Sequence, residues 1–216
     1  MNTNLAREEV VDNIAANLYA LPTVTKETIR LHQQEETLGY KISKRIVDII
    51  GAMFGIEMLL PMTIGLYIAN LIVGDNGPIF YSQNRIGKDG KIFKMYKFRS
   101  MVMGADEKLE KYLEENEEAR KEYKINKKLK NDPRITKIGK FIRKTSIDEF
   151  PQFINVLKGD MSLVGPRPYL PREIEDMGDA YPYITAVKPG VTGLWQGRGR
   201  NDVTFEDRLK MDCEYN

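Results

Sequence analysis

Apolar residues crowd one part of this chain. From Ile46 to Val73 they run nearly unbroken, interrupted by Asp48, Glu57, Pro61 and Asn70. At about 1.5 Å per residue, a straight helix of this length exceeds the ~30 Å hydrocarbon core of a bilayer, and the plain reading is one transmembrane helix. Three details favour a helix that enters and leaves on the same side. Glu57 sits mid-segment, where an unpaired charge costs at least about 2.5 kcal/mol. Pro61 bends a helix by removing a backbone donor. Both flanks are basic, with Lys41, Lys44 and Arg45 before the stretch and Arg85, Lys88, Lys91 and Lys94 after it, so the positive-inside tendency selects a helix–break–helix and no crossing. The segment follows a polar stretch and lacks a small-residue cleavage site, which excludes a signal peptide.

The rest divides by periodicity. Residues 1–39 form a polar N-terminal extension with one amphipathic pattern from Val10 to Leu21. Residues 40–74 hold the apolar element and 75–216 the remaining domain. Alternation from Phe80 to Met101 around Lys88-Asp89-Gly90-Lys91 predicts an antiparallel hairpin, with Lys97 and Arg99 on one face. A long charged helix is expected from about Gly104 to Lys124. Another is expected to open at Ile147 or Asp148 and close near Lys158-Gly159. The fold class is α/β, rich in helix.

Composition removes several chemistries. The 33 Lys+Arg nearly cancel the 31 Asp+Glu, and a net charge of +2 gives no reason to expect nucleic-acid binding. With one cysteine, Cys213, and one histidine, His32, the chain has no disulfide framework, Cys/His zinc site or histidine-based nucleophile pair. Acid–base or nucleophilic work falls to carboxylates, and any metal should be a hard cation such as Mg²⁺. The charges are unevenly spread. Arg120 to Lys144 carries eleven Lys/Arg against Glu122 and Asp132, a field suited to lipid headgroups or phosphorylated ligands.

Candidate chemistry centres on Asp148-Glu149, preceded by Arg143 and Lys144. Two acids beside two cations suit phosphate chemistry: a metal held by carboxylates, or a carboxylate nucleophile. The same residues also fit a structural reading, Ser146-x-x-Glu149 as a capping box. Pro151 favours a helix start after Ser146, which spoils the box and leaves both carboxylates beside free backbone N–H groups, where the dipole keeps Asp148 ionised. In Val164-Gly-Pro-Arg-Pro168, Arg167 stands between prolines, stiffened for bidentate grip of an oxyanion. Lys97, Arg99 and Arg143 are further phosphate-binding candidates. Trp195, Gln196 and Arg200 in the Gly-rich loop suit a nucleotide or sugar, with Trp195 as a core anchor the competing reading.

In order, Lys44-Arg45 with Asp48 before a Pro-broken apolar segment, Lys97-Phe-Arg-Ser-Met101, Asp148-Glu-Phe-Pro-Gln152, Gly165-Pro-Arg-Pro168 and Lys188-Pro-Gly-Val-Thr-Gly-Leu-Trp-Gln196 resemble the bacterial sugar transferases, the monotopic polyprenyl-phosphate phosphoglycosyl transferases. The resemblance implies transfer of a sugar phosphate from a UDP-sugar to undecaprenyl phosphate with release of UMP, the first membrane step of surface glycan synthesis. It implies a re-entrant helix bent near Pro61 and placement on the cytoplasmic face of the bacterial inner membrane, among its lipids. It also implies an Asp-Glu dyad with Mg²⁺: Asp148 as nucleophile, Glu149 its partner, both near the metal, with Arg167 the arginine of the Pro-Arg-Pro element. Gly197-Arg198 stands where most relatives have Val-Ser, so local substrate contacts differ. The polar extension places the chain with the compact relatives, many of which continue beyond the position of Asn216. A catalytically silent membrane scaffold is the alternative, and a homo-oligomer is left open.

Overall fold

The computed structural model describes residues 37–194, 196 and 204–215. The amphipathic stretch Val10–Leu21, Trp195, Arg198 and Arg200 lie outside them. The apolar stretch forms α1 (Leu38–Glu57) and α2 (Leu59–Ile72), one long helix bent at Met58. Pro61 has no N–H to return to Glu57, so the regular bond pattern resumes only at Met62, whose N–H donates to Met58 O at 3.2 Å. Most apolar residues of both helices face outward, Phe54 at 67% exposure and Leu60 at 69% among them. What α1 buries is small or polar: Asp48, Ala52 and Gly55.

That small-residue face is how the helix meets the rest of the chain. A Cβ on Gly55 would run into the Phe153 ring, and one on Gly51 into Leu163, so only glycine permits this approach. Phe153 belongs to α6 (Gln152–Lys158) and Leu163 to β3 (Ser162–Val164). Ala52, Met95, Val156 and Met161 form the shared core there, with Phe93, Phe153, Leu163 and Val191 packed around it. Burying one such side chain stabilises by roughly 1.5–3 kcal/mol. Polar ties reinforce the contact. Arg45 donates to Val156 O (2.6 Å) and Leu157 O (2.8 Å), closing the C-terminal carbonyls of α6. Asp48 accepts from Ser162 Oγ and Leu163 N–H, both at 2.9 Å.

The hairpin expected from the alternation is present: β1 (Phe80–Ile86) pairs antiparallel with β2 (Ile92–Phe98), Tyr81 opposite Lys97. Asp89 (φ 56°) and Gly90 (φ 73°) make its turn. The single charged helix expected after it is instead two, α3 (Ala105–Glu115) and α4 (Glu117–Asn126). Asn116 breaks it in extended conformation (φ −132°, ψ 104°) and caps α4 by accepting the Ala119 N–H at 2.9 Å. These two helices share a small core of Leu109, Ala119 and Leu129.

Next come α5 (Lys137–Lys144), α6 and β3, then α7 (Ile174–Met177), α8 (Tyr181–Thr185), β4 (Gly190–Thr192) and α9 (Phe205–Glu214). β3 and β4 pair in parallel, Ser162 with Gly190 and Val164 with Thr192. Gly165 and Gly190 allow it, since a Cβ on Gly190 would overlap the Gly165 backbone. A third core, of Ile86, Tyr169, Ile174, Met177, Ile184, Phe205 and Leu209, brings α9 back against β1 and the segment after β3.

Candidate active site

Asp148 and Glu149 sit in a short 3-10 turn, Ile147–Glu149, one turn ahead of α6. Ser146 enters it with φ 59° and makes no side-chain cap, so the capping-box reading fails and Glu149 is released to face outward. The expected start at Ile147 or Asp148 is correct for the turn, but the α-helix itself begins at Gln152, after Pro151. Asn155 fixes the assembly against β2. Fully buried, it accepts the Tyr96 N–H (3.0 Å) and donates to Lys94 O (2.7 Å), bonding to the strand as a neighbouring strand would.

Lys97, one residue beyond Tyr96, therefore points its ammonium at the dyad. Its Nζ donates to Glu149 Oε1 at 3.2 Å and lies 3.9 Å from Asp148 Oδ2. Gln196 completes the set, donating from Nε2 to Glu149 Oε2 at 3.4 Å while its Oε1 accepts the Gly193 N–H at 2.7 Å. Asp148 is buried, its side chain 9% exposed, while Glu149 keeps 23%. Burial raises the Asp148 pKa above the usual carboxylate value, against the opposing pull of Lys97 and then of Arg143. Among the influences that favour the ionised form, Lys97 stands first, ahead of Arg143 and of the backbone N–H at the turn. Burial likewise lowers the Lys97 pKa, although Glu149 and Asp148 oppose it.

The other expected residues divide. Arg167 is half-buried, and its charge is felt at Lys97. Its charge also acts on Asp212. Arg143 is exposed on α5, with its field on Asp148. Arg99 is a correction. Its guanidinium is spent on Asp75 (2.8 and 3.1 Å), Pro78 O (2.6 Å) and Met101 O (3.2 Å). Beyond the end of β2 the face that alternation assigned to Arg99 no longer holds it beside Lys97, and a bidentate carboxylate partner claims the planar fork.

Sequence reasoning missed Arg85, Arg208, Tyr169 and Asp212. Arg85 is 7% exposed, bonded to Pro168 O (3.0 Å) and Gln83 Oε1 (2.8 Å), with Nε unbonded. Burial and then the Arg167 charge pull its pKa down to about 9. Asp212, from α9, accepts the Tyr169 hydroxyl at 2.7 Å. Arg208, also buried, has its pKa lowered by desolvation and then by Arg167. Arg85 and Arg208 both feel the charge of Arg167, and Arg85 and Arg167 both act on Lys97, so cations gather behind the dyad beside Glu173 and Asp212. No spacing in the sequence announces it; the weak signal is the arginine at the buried end of an alternating strand.

Asp148 and Glu149 are the two acids of the site, and among the described residues no group of three or more His, Cys, Asp or Glu gathers to cage a metal. Two carboxylates suit Mg²⁺, which commonly takes one or two from protein and the rest from substrate phosphates and water. Arranged so, buried Asp148, a bonded Lys97 and the nearby charges of Arg143 and Arg167 can receive a phosphoryl group.

Comparison with known proteins decides the family. The sequence profile described as Bacterial sugar transferase matches residues 39–216. The chain belongs to that family. It is 49% identical over 187 residues to the undecaprenyl-phosphate galactose phosphotransferase of Salmonella typhimurium, covering 87% of this chain and 39% of that one. To the exopolysaccharide production protein ExoY of Rhizobium meliloti it is 40% identical over 174 residues, 81% of this chain and 76% of that one. To the UDP-glucose:undecaprenyl-phosphate glucose-1-phosphate transferase of Escherichia coli it is 36% identical over 183 residues, 81% and 36% respectively. The chain thus spans about two fifths of the length of the Salmonella and Escherichia relatives.

Proposed function

We propose that this sugar transferase moves a sugar 1-phosphate from a UDP-sugar to undecaprenyl phosphate and releases UMP. It would work from the cytoplasmic face of a bacterial inner membrane at the start of a surface glycan. The observation that carries the reading is the buried Asp148 held against Lys97 at 3.9 Å, within a chain of this family. The names of the relatives support the acceptor class and differ in the sugar, galactose in one and glucose in another, so the sugar is left unassigned.

A diphosphate substrate repels an anionic nucleophile, and direct attack by the lipid phosphate would require a soluble and a membrane-bound substrate to be aligned at once. Splitting the reaction removes the second demand. An Asp148 carboxylate oxygen attacks the phosphorus that bears the sugar. The bond from that phosphorus to the oxygen shared with the uridylyl phosphate breaks, and UMP leaves with the electron pair. An oxygen of the lipid phosphate then attacks the same phosphorus and Asp148 departs as carboxylate. Lys97 opposes the effect of burial and so favours the ionised form of Asp148, and Arg167 and Arg143 neutralise the phosphate oxygens. Glu149 receives the lipid phosphate's proton or shares the metal with Asp148. Mg²⁺, held there when bound, would neutralise phosphate charge. Gln196 beside Glu149, with Trp195 and Arg200 close to it in sequence, would meet the nucleotide sugar. The bend at Met58 and the outward apolar faces of α1 and α2 support the re-entrant placement.

Asp148→Asn keeps the size and loses the nucleophile. Turnover should vanish, together with labelling of the protein by a donor carrying a radioactive sugar phosphate. The wild-type protein should release up to one equivalent of UMP without lipid. No UMP until lipid is added, with substantial activity left in the Asn variant, would sink the covalent mechanism.

A further inference from the structure

Away from the dyad, a second group of cations converges where α1 meets the C-terminal end of α6. Arg45 is bonded to the Val156 and Leu157 carbonyls, and Lys44 donates to Ser162 Oγ and to Val164 O (3.2 Å). Lys188, in the loop before β4, faces the same place. Its Nζ and Arg45 Nη2 each lie 3.7 Å from the point where a Cβ on Gly159 would sit. Of the strongest charges acting on Lys188, Arg45, Lys88 and Lys44 repel it and Asp48 attracts it. Asp48 is already occupied by Ser162 and Leu163. Burial, and then these cations, lower the Lys188 pKa.

The exposed carbonyls of α6 account for Arg45, which closes them. They do not account for Lys188, whose ammonium makes no hydrogen bond or ion pair among the described residues. A half-buried ammonium among three cations, opposed by one occupied carboxylate, leaves the cluster short of negative charge. Its border is apolar: Leu157 is 37% exposed and Val164 46%, and the outward face of α1 continues with Ile46 and Ile50. The geometry points to an anion site at this junction, in which Lys188, flanked by Arg45 and Lys44, takes the phosphate of a membrane lipid whose acyl chains lie along that apolar border. A free phosphate has the same charge but no use for the border. The site is separate from the transfer centre, since Arg45 and Lys188 gather at the C-terminal end of α6 and the dyad turn precedes its N-terminal end. The inference rests on the membrane placement proposed above.

The test uses the full chain in neutral detergent micelles, with dihexanoyl phosphatidate, dihexanoyl phosphatidylcholine and inorganic phosphate as probes and the melting midpoint as readout. Phosphatidate should raise the midpoint saturably. Lys188→Gln should raise its half-saturating concentration roughly fivefold, the loss of one interfacial charge, and Lys188→Arg should restore it. Lys210→Gln, exposed on α9, is the control and should titrate as wild type. Should Lys188→Gln not fold, Lys188→Met keeps the stem and makes the same comparison. Identical phosphatidate titrations of wild type and the neutral variants would overturn the site. An equal rise with inorganic phosphate at matched ionic strength would overturn the lipid as its occupant. UMP release by the same wild-type preparation separates the readings: its absence counts against the transfer reaction, while the phosphatidate titration tests the anion site.

Discussion

Removing the charge of Lys97 should move the acid limb of the activity profile, and the direction follows from the geometry. Burial already favours the protonated form of Asp148, and Lys97 at 3.9 Å is the largest opposing influence. Lys97→Met keeps the stem and deletes the charge, so protonation becomes easier still and the limb shifts to higher pH. Two unit charges 4 Å apart interact by about 1 kcal/mol in water and about 4 kcal/mol at an effective dielectric of 20. With Lys97 25% and Asp148 9% exposed, about 2 kcal/mol is the appropriate middle. That amounts to about a 30-fold smaller ionised fraction of Asp148 at any pH below the limb. UMP release measured without lipid, in one buffer series from acid to alkaline pH, reads this first step directly. The variant should be most impaired in acid and recover towards a plateau in alkali, while Lys97→Arg keeps the wild-type limb. A Lys97→Met profile that is scaled down but not displaced would refute the argument and leave Lys97 as a substrate contact.

Further outcomes are expected. Asp148→Asn should melt at a higher temperature than wild type near neutral pH, because the folded state holds the Asp148 proton more tightly than the unfolded chain and therefore bears a cost on ionisation; the gain should fade as acidification through the raised pKa protonates wild type. Arg167→Lys keeps a charge but loses the planar fork, so turnover should fall about tenfold or more with the melting midpoint nearly unchanged; equal activity would return the segment to a simple turn. Asp48→Ala removes the acceptor of two buried-side hydrogen bonds at 2.9 Å and should cost about 3 kcal/mol in denaturant unfolding, with Asp48→Asn losing less. Cysteines at exposed Lys41 and Lys91, in a Cys213→Ser background, should react with an impermeant reagent from the same side of the membrane; opposite sides would replace the re-entrant helix with a spanning one.

The hairpin was legible because its two devices are local: alternation over seven residues and an Asp-Gly turn that takes positive φ. The bend near Pro61 was legible for the same reason, since a missing N–H acts within one turn. The break at Asn116 was not, because asparagine is tolerated inside a charged helix and only its capping bond to Ala119 shows that it ends one. β3 and β4 escaped because three-residue parallel strands 28 positions apart leave no periodicity to read. Arg99 was misassigned because strand alternation carries no knowledge of Asp75, twenty-four residues earlier. Asp148 and Glu149 were singled out by their neighbours in sequence, yet the residues bonded to them or set against them are distant: Lys97 from β2 and Gln196 from beyond β4. The balance of influences on Asp148 was hidden on that account, since the dipole at a turn can be read from sequence and the depth of burial and the approach of Lys97 cannot.

The anchor and the dyad meet on one short helix, and this has a mechanical consequence. α6 has seven residues, about 10 Å of helix. The dyad turn runs directly into its N-terminal end, and Arg45 of α1 holds its C-terminal carbonyls. Gly55 lets the apolar helix approach the Phe153 side of α6 closely, and Gly51 does the same at Leu163 of β3. No flexible linker lies between the element with an apolar exterior and the carboxylates. If α1 and α2 sit in the bilayer as proposed, Asp148 is held at a nearly constant height above it, where a lipid phosphate must arrive and a soluble nucleotide sugar can still reach. A tether of equal length in glycine and serine would allow excursions of the same order as its span, and positioning errors of 1 Å can cost a hundredfold in rate. The buried Asp48, bonded to β3 rather than exposed to lipid, belongs to the same device: it fixes the rotation of α1, so that the small-residue face meets α6 and the apolar face is left for the membrane.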